Sequence, residues 1–336
     1  MKPTASLTMP LWLTRSDVEN LLDMPAAIEA VADAFLLIYQ GEAELPVRAN
    51  IPVARHDGSL MSMPAYLGGD MDALGAKLIS FYGTNPTVRG LPAIQGNVVL
   101  FDGKNGALLA LMDAGYLTAM RTGASGGVAA RYLAREDART LTIFGSGVQA
   151  PYQVEAVLCE RPIDRVFVLS RTPANAEALA GDLKRSFDVS VEATTDVEMA
   201  VGAADIVVTA TSAHDPLFDG GLLRPGVHVT GIGSHLPYAS EVDATALRRS
   251  KVVVDQMSAC LEEAGDLIEP INAGLYDASQ IHAEIGAIIA GDQPGRSSED
   301  EITFFKSVGL AAQDVAVARV VYQRAVEQGA GTSLEG

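Results

Sequence analysis

The six residues Gly145-Ser146-Gly147-Val148-Gln149-Ala150 carry the most informative chemistry in the chain. They follow the apolar run Leu141 to Phe144 and open a stretch of helical spacing, which is the context a dinucleotide fingerprint requires. Gly145 permits a tight turn, Gly147 lets the backbone approach a pyrophosphate, and Ala150 is small enough for close helix packing. Amides at the helix start would then face the phosphates. All six residues are therefore expected to bind a cofactor. An ordinary strand-to-helix turn can carry two glycines as well, so the reading leans on the second strand that follows the helix.

That second strand ends at Leu169-Ser170-Arg171-Thr172, about 25 residues after Gly145, where an NAD site usually places Asp or Glu against the ribose hydroxyls. No acid is there. Ser170 and Thr172 can donate hydrogen bonds and Arg171 can neutralise a 2′-phosphate, so NADPH is favoured over NADH. The alternative is that Arg171 is a solvated residue at a helix start. Two later strands end in Thr209-Ala210-Thr211 and Gly231-Ile232-Gly233, small residues on the carboxyl edge that leave room for a nicotinamide ring.

The elements that must position these groups show in the texture of the chain. Thr14 to Tyr39 has a cap-like start and apolar residues at helical spacing, predicting one or two amphipathic helices. Between Val47 and Leu111, short runs separated by Gly, Pro and Asn predict antiparallel strands: Leu60 to Met63, Lys77 to Phe81 and Asn97 to Phe101. Asp102-Gly103-Lys104-Asn105-Gly106 reads as a hairpin turn. The small-residue stretch Ala114 to Leu133 reads as a bridging helix between domains. From Thr140, buried-type runs at 141–144, 166–169, 206–209, 227–232 and 252–255 alternate with helical segments, predicting a parallel sheet flanked by helices. Gly291 to Asp300 reads as a polar loop, and Leu310 to Val326 as a long helix that can return to the first domain. The fold class is α/β: a Rossmann doubly wound parallel sheet plus a second, α+β domain.

Composition bounds the function. A chain of 336 residues, 48% hydrophobic, suits two domains with a large core. A formal net charge of −18 argues against nucleic acid or anionic membrane as partner. Any anionic ligand must be held by locally concentrated cations. Cys159 and Cys260 have no metal-site spacing and are expected to be buried structural thiols, consistent with a cytoplasmic protein. Met1 to Pro10 lacks a leader pattern, and no apolar run is long enough for a membrane span.

Isolated basic residues predict nothing, but the settings of three of them do. The sequence resembles the ornithine cyclodeaminase/μ-crystallin family through Pro46-Val47-Arg48, Ser62-Met63-Pro64-Ala65, Gly75-Ala76-Lys77, Thr118-Ala119-Met120-Arg121-Thr122-Gly123-Ala124 and the 145–150 motif. Glu284-Ile285-Gly286, the segment 291–296 and Phe305-Lys306-Ser307-Val308-Gly309-Leu310-Ala311 continue it along nearly the whole chain. The resemblance implies a homodimer, with residues 1–125 and 308–336 forming the substrate and dimerisation domain and 126–307 the dinucleotide domain. It also implies that Arg48 and Arg121 grip a substrate carboxylate, while Lys77 sits near the reacting carbon and serves in proton transfer. Thr122 adjoins this set as a cofactor contact. Asp314 matches a position near the active cleft, although a structural hydrogen bond on a helix face would account for it equally. Family cyclodeaminases carry an aspartate just after the strand leading to the glycine pair; here Gly233-Ser234-His235-Leu236-Pro237 places His235 there. Histidine can act as an acid or base near neutral pH, or merely contact cofactor or backbone.

These features favour an NAD(P)H-dependent reductase of small α-imino acids, with Δ1-pyrroline-2-carboxylate giving proline as the leading substrate. The alternatives are ornithine cyclodeaminase, an alanine dehydrogenase-like enzyme, or a non-catalytic NADPH-binding protein of the μ-crystallin type.

Overall fold

The computed structural model describes residues 9–334. Residues 1–8, most of the segment read above for a leader, and 335–336 lie outside the described residues. The described residues divide into two compact units, one from the N-terminal part to residue 121 together with the part from 310 onward, and one of residues 122–309.

The first unit opens with β1 (Leu11–Leu13), α1 (Arg15–Leu21) and α2 (Met24–Tyr39). Thr14 and Asp17 cap α1 reciprocally and the Asp23 carboxylate accepts from Ala26 N at the start of α2, which fixes both helix starts. Five strands carry the middle of this unit: β2 (Ala43–Glu44), β3 (Ala49–Val53), β4 (Gly58–Leu67), β5 (Ala73–Tyr82) and, after the short α3 (Asn85–Val88), β6 (Ile94–Asp102). The predicted turn at 102–106 joins β6 to β7 (Leu108–Asp113), with Gly106 at φ 75°. Then α4 (Ala114–Leu133) runs without a break from residue 121 of the first unit into residue 122 of the second.

The second unit is built from alternating strands and helices. They are β8 (Thr140–Phe144), α5 (Gln149–Glu160), β9 (Arg165–Leu169), α6 (Pro173–Ser186), β10 (Ser190–Ala193), α7 (Val197–Ala203) and β11 (Ile206–Thr209), followed by β12 (His228–Gly231), α8 (Ala244–Arg249) and β13 (Ser250–Val254). α9 (Met257–Glu263), α10 (Gly265–Asn272), β14 (Ile281–Glu284), α11 (Ile285–Ile289) and β15 (Ile302–Lys306) complete it. The eight strands are all parallel, in the order β10-β9-β8-β11-β12-β15-β13-β14. From β8 the chain winds outward through β9 and β10, then resumes on the other side at β11, so β8 and β11 flank the point where the winding reverses. Both faces are covered, which is why the strands read as continuous apolar runs. Ile143, Val168 and Val208 enter one core cluster, and Phe144, Phe167 and Val207 the other.

The chain ends in the first unit with α12 (Ala311–Gln328) and β16 (Thr332–Ser333). This completes an eight-stranded sheet ordered β16-β1-β7-β6-β5-β4-β2, with β3 also paired to β4. Its ladders are antiparallel except β1 with β7. α12 lies on β4, β5, β6 and α2.

The fold class is the one expected. Three strands of the parallel sheet, β10, β14 and β15, had not been picked out as strands, and the last helix begins at Ala311, one residue later than read. Cys260 is buried, but Cys159 is exposed and must be corrected: it falls in the last turn of α5, past Val157, the last buried residue of that helix. Neither forms a disulfide.

Candidate active site

In the first unit, the alternation of β5 turns Ala73, Gly75, Lys77 and Ile79 toward the covered side of the sheet. Lys77 is only 1% exposed, opposite Met63 of β4 and Val98 of β6. A lysine there is costly unless it meets a countercharge. α12 supplies it: Asp314, with no exposed surface, places Oδ2 2.8 Å from Lys77 Nζ. The other carboxylate oxygen accepts from Arg121 Nε at 3.0 Å, and Arg121 Nη1 donates to Gln313 Oε1 at 3.1 Å. That same Gln313 oxygen accepts from Leu310 N at 2.9 Å, so the group that orients Arg121 also fastens the start of α12. The helix approaches this closely because Gly75 has no side chain. A Cβ there would stand 2.7 Å from Val99 O and 3.2 Å from Val315 Cγ2.

The electrostatics follow from the packing. Burial, the charge of Arg121 and, more weakly, that of Arg48 together lower the Lys77 pKa to about 8, against the pull of Asp314. Arg48, half-buried in the segment between β2 and β3, thus acts on the same ammonium as Arg121. The first unit therefore brings Arg48, Lys77, Arg121 and Asp314 into one electrostatic cluster. Asp314 is the buried countercharge of two cations.

In the second unit, Gly145 ends β8 at φ 116°, and a Cβ there would collide with Ala210 O just beyond β11. The turn thus sits where the winding reverses. Nothing stands within 4 Å of a Cβ built on Gly147, so the backbone is open to an approaching group. Ala150, in the first turn of α5, is fully buried, Val148 is 74% exposed, and among the described residues nothing hydrogen-bonds the buried Gln149 Oε1. Ser146 Oγ lies 2.8 Å from Ser170 Oγ, joining the glycine turn to the end of β9, where Arg171 and Thr172 are exposed. A positive-φ glycine, an open amide turn and paired hydroxyls beside it fit a dinucleotide. Thr122 is buried on α4, and its carbonyl accepts from Gln153 Nε2 at 2.7 Å.

The ends of β11 and β12 hold a group that the sequence reading missed. The buried carboxylate of Glu241 accepts from Thr211 N and Oγ1 through Oε1, both at 2.7 Å. Its Oε2 accepts from Thr209 Oγ1 at 2.9 Å, Gly233 N at 2.8 Å and Ser234 N at 3.2 Å. Beneath it, Lys306 Nζ lies 2.6 Å from Asp266 Oδ2, and Asp266 Oδ1 accepts from the amides of Glu241 and Val242. Burial pushes the Glu241 pKa up while Lys306 draws it back. Lys306, although burial opposes its charge, is held above its ordinary range by Asp266 and Glu241. Neither Glu241 nor Asp266 stands in a periodic run, so no local pattern marked them. Ala210 and Ile232 follow their strands in the same loops, with Ile232 N donating to Thr209 O at 2.9 Å. His235 is exposed, its Nδ1 3.0 Å from Gly233 O.

Residues 9–329 match the model of the ornithine cyclodeaminase/mu-crystallin family. The chain belongs to this family. It is 40% identical over 326 residues to a Delta(1)-pyrroline-2-carboxylate reductase of Bacillus cereus, covering 97% of this chain and 99% of that one. An alanine dehydrogenase of Archaeoglobus fulgidus is 34% identical over 328 residues, covering 97% and 98%. Among solved structures, the Thermococcus litoralis Delta(1)-pyrroline-2-carboxylate reductase in complex with NADH and L-proline superposes with a TM-score of 0.91 at 42% identity, covering 96% of this chain and 100% of that one. The family relationship thus spans both units.

Proposed function

We propose that this family member is an NAD(P)H-dependent reductase of small α-imino acids, with Δ1-pyrroline-2-carboxylate, reduced to L-proline, as its leading substrate. The observation that carries this reading is Lys77, buried between Asp314 and the charge of two arginines with its pKa lowered to about 8. Reduction of a C=N bond takes a hydride at carbon and a proton at nitrogen, and a bound reduced nicotinamide supplies the hydride. Arg48 and Arg121 hold the carboxylate, for which guanidinium offers two parallel donors. Lys77 holds or delivers the proton, a task suited to a pKa near the working pH. Asp314 keeps Lys77 and Arg121 in place. His235, on the loop after β12, is a second acid/base candidate. The activities named for the Bacillus cereus and Thermococcus litoralis relatives support the substrate class.

The dinucleotide lies over the 145–150 turn, beside Ser170, Arg171 and Thr172 and against the strand ends at 209–211 and 231–233. With no acid at the end of β9 and Arg171 exposed there, NADPH is preferred over NADH. Two copies associate through the outer face of the first unit's sheet, where Ile51, Leu60 and Leu78 are exposed on one side. Cysteines outside any disulfide suit a cytoplasmic enzyme.

A panel of substrates with both dinucleotides tests this reading. Δ1-Pyrroline-2-carboxylate should consume NADPH faster than NADH, ornithine should give no net change in the nicotinamide, and pyruvate with ammonia should be turned over slowly. Consumption with pyruvate and ammonia alone would move the assignment to an alanine dehydrogenase. Binding of NADPH without turnover of any imino acid would move it to a binding protein.

A further inference from the structure

The strand ends at 209–211 and 231–235 are separate loops, and past the paired strands a single backbone bond among the described residues, Ile232 N to Thr209 O at 2.9 Å, links them. Both converge on one side chain. Glu241 accepts five hydrogen bonds, three from backbone amides and two from threonine hydroxyls. Thr209 and Thr211 belong to the first loop, and Gly233 and Ser234 to the second. An amide N–H can only donate, so this site is built for an acceptor at both oxygens. The spacing is tight as well as polar. A Cβ on Gly233 would collide with Thr211 O and stand 2.5 Å from Glu241 Oε1. The carboxylate is itself fixed from behind, because Asp266 accepts its backbone amide and pairs with Lys306 at the end of β15.

We infer that Glu241 is a positioning residue for the dinucleotide: its carboxylate sets the distance between the β11 and β12 loops on which the nicotinamide half rests. This builds on the dinucleotide reading of the site and adds a residue that touches neither cofactor nor substrate. Gln is close to Glu in shape but must turn an NH2 toward amides that also donate, so one loop loses its acceptor and is pushed away.

The test is a titration of wild type and Glu241→Gln with NADH and NADPH, read by nicotinamide fluorescence, alongside steady-state kinetics and thermal melting. Wild-type binding of neither dinucleotide would overturn the cofactor reading itself. With wild type binding, Glu241→Gln should weaken both dinucleotides roughly tenfold or more, the equivalent of about 1.4 kcal/mol, while KM for the imino acid changes little. A lower melting temperature with unchanged dinucleotide affinity would make Glu241 merely structural and overturn the inference. Should Glu241→Gln fail to fold, Gly233→Ala serves instead. It keeps the carboxylate but drives a methyl between Glu241 and Thr211, and it should weaken both dinucleotides comparably. Wild-type affinity in that variant would likewise overturn the inference.

Discussion

At the scale of single residues, the consequential one is Lys77. Its ordinary pKa of 10.5 falls to about 8, so it holds its proton at pH 7 and loses it within an accessible range. If protonated Lys77 supplies the proton for C=N reduction, kcat for reduction should fall as pH rises through about 8, and oxidation of the amino acid should rise through the same value. Lys77→Ala should cut reduction on the order of 100-fold or more and leave NADPH affinity within a few-fold of wild type. Equal turnover in the variant, or a pH profile without an inflection near 8, would remove Lys77 from the chemistry. The sequence pointed to this lysine through the motif around it; strand alternation, read alone, would have marked it as a charge on a core-facing position of β5. Asp314 was left evenly balanced between structural and functional readings. Its two cationic partners lie far from it along the chain, where no local pattern could reveal them.

At the scale of elements, the site depends on how near α12 comes to β5. Gly75→Ala tests this directly. Its methyl meets a backbone oxygen, Val99 O, and the Val315 side chain. We expect a destabilisation of about 1–3 kcal/mol, typical of overpacking, visible in urea melts. Any outward shift of α12 loosens Asp314 from Lys77, so the pH midpoint for reduction should move down as the lysine loses the carboxylate that supports its charge. An unmoved midpoint with a lowered melt would show that the helix is held at Asp314 by other contacts. Elements with strong periodicity or apolar runs were legible, including α2, α4, β8, β9, β11 and α12. β10 and β14 are four-residue strands at the sheet's edges, too short for a pattern to develop. β15 lies between β12 and β13 yet ends in Lys306, a charge whose partners Asp266 and Glu241 come from elsewhere in the unit.

At the scale of the molecule, a net charge of −18 surrounds a cluster that gathers Arg48, Lys77 and Arg121, so anions are drawn to few places and held there. The outer face of the first unit's sheet is apolar at Ile51, which pairs with Leu60 across β3 and β4, and at Leu78, which lies diagonal to Leu60 on β5. Leu60→Lys combined with Leu78→Lys should convert a dimer to a monomer in sedimentation velocity, with little change in far-ultraviolet circular dichroism. A wild-type protein that sediments as a monomer would rule out association through this face. The last helix was legible because it is apolar at helical spacing; that it belongs with the N-terminal part was implied by the family resemblance. Glu241 and its buried neighbours were not legible, since their role exists only once two loops distant in sequence have been brought together.

The placement of α12 also orders events during synthesis. Domains generally fold as they leave the ribosome, at about 5–20 residues per second. The parallel-sheet unit, residues 122–309, is complete in the chain before Ala311–Gln328 has been made. Until that helix emerges, Lys77 has no Asp314 to meet and the sheet that carries it lacks its main apolar cover. A nascent chain can thus form its glycine turn at 145–150 before Lys77 meets Asp314, and a message truncated beyond Gly309 would yield the parallel-sheet unit tethered to an unfinished, sticky sheet.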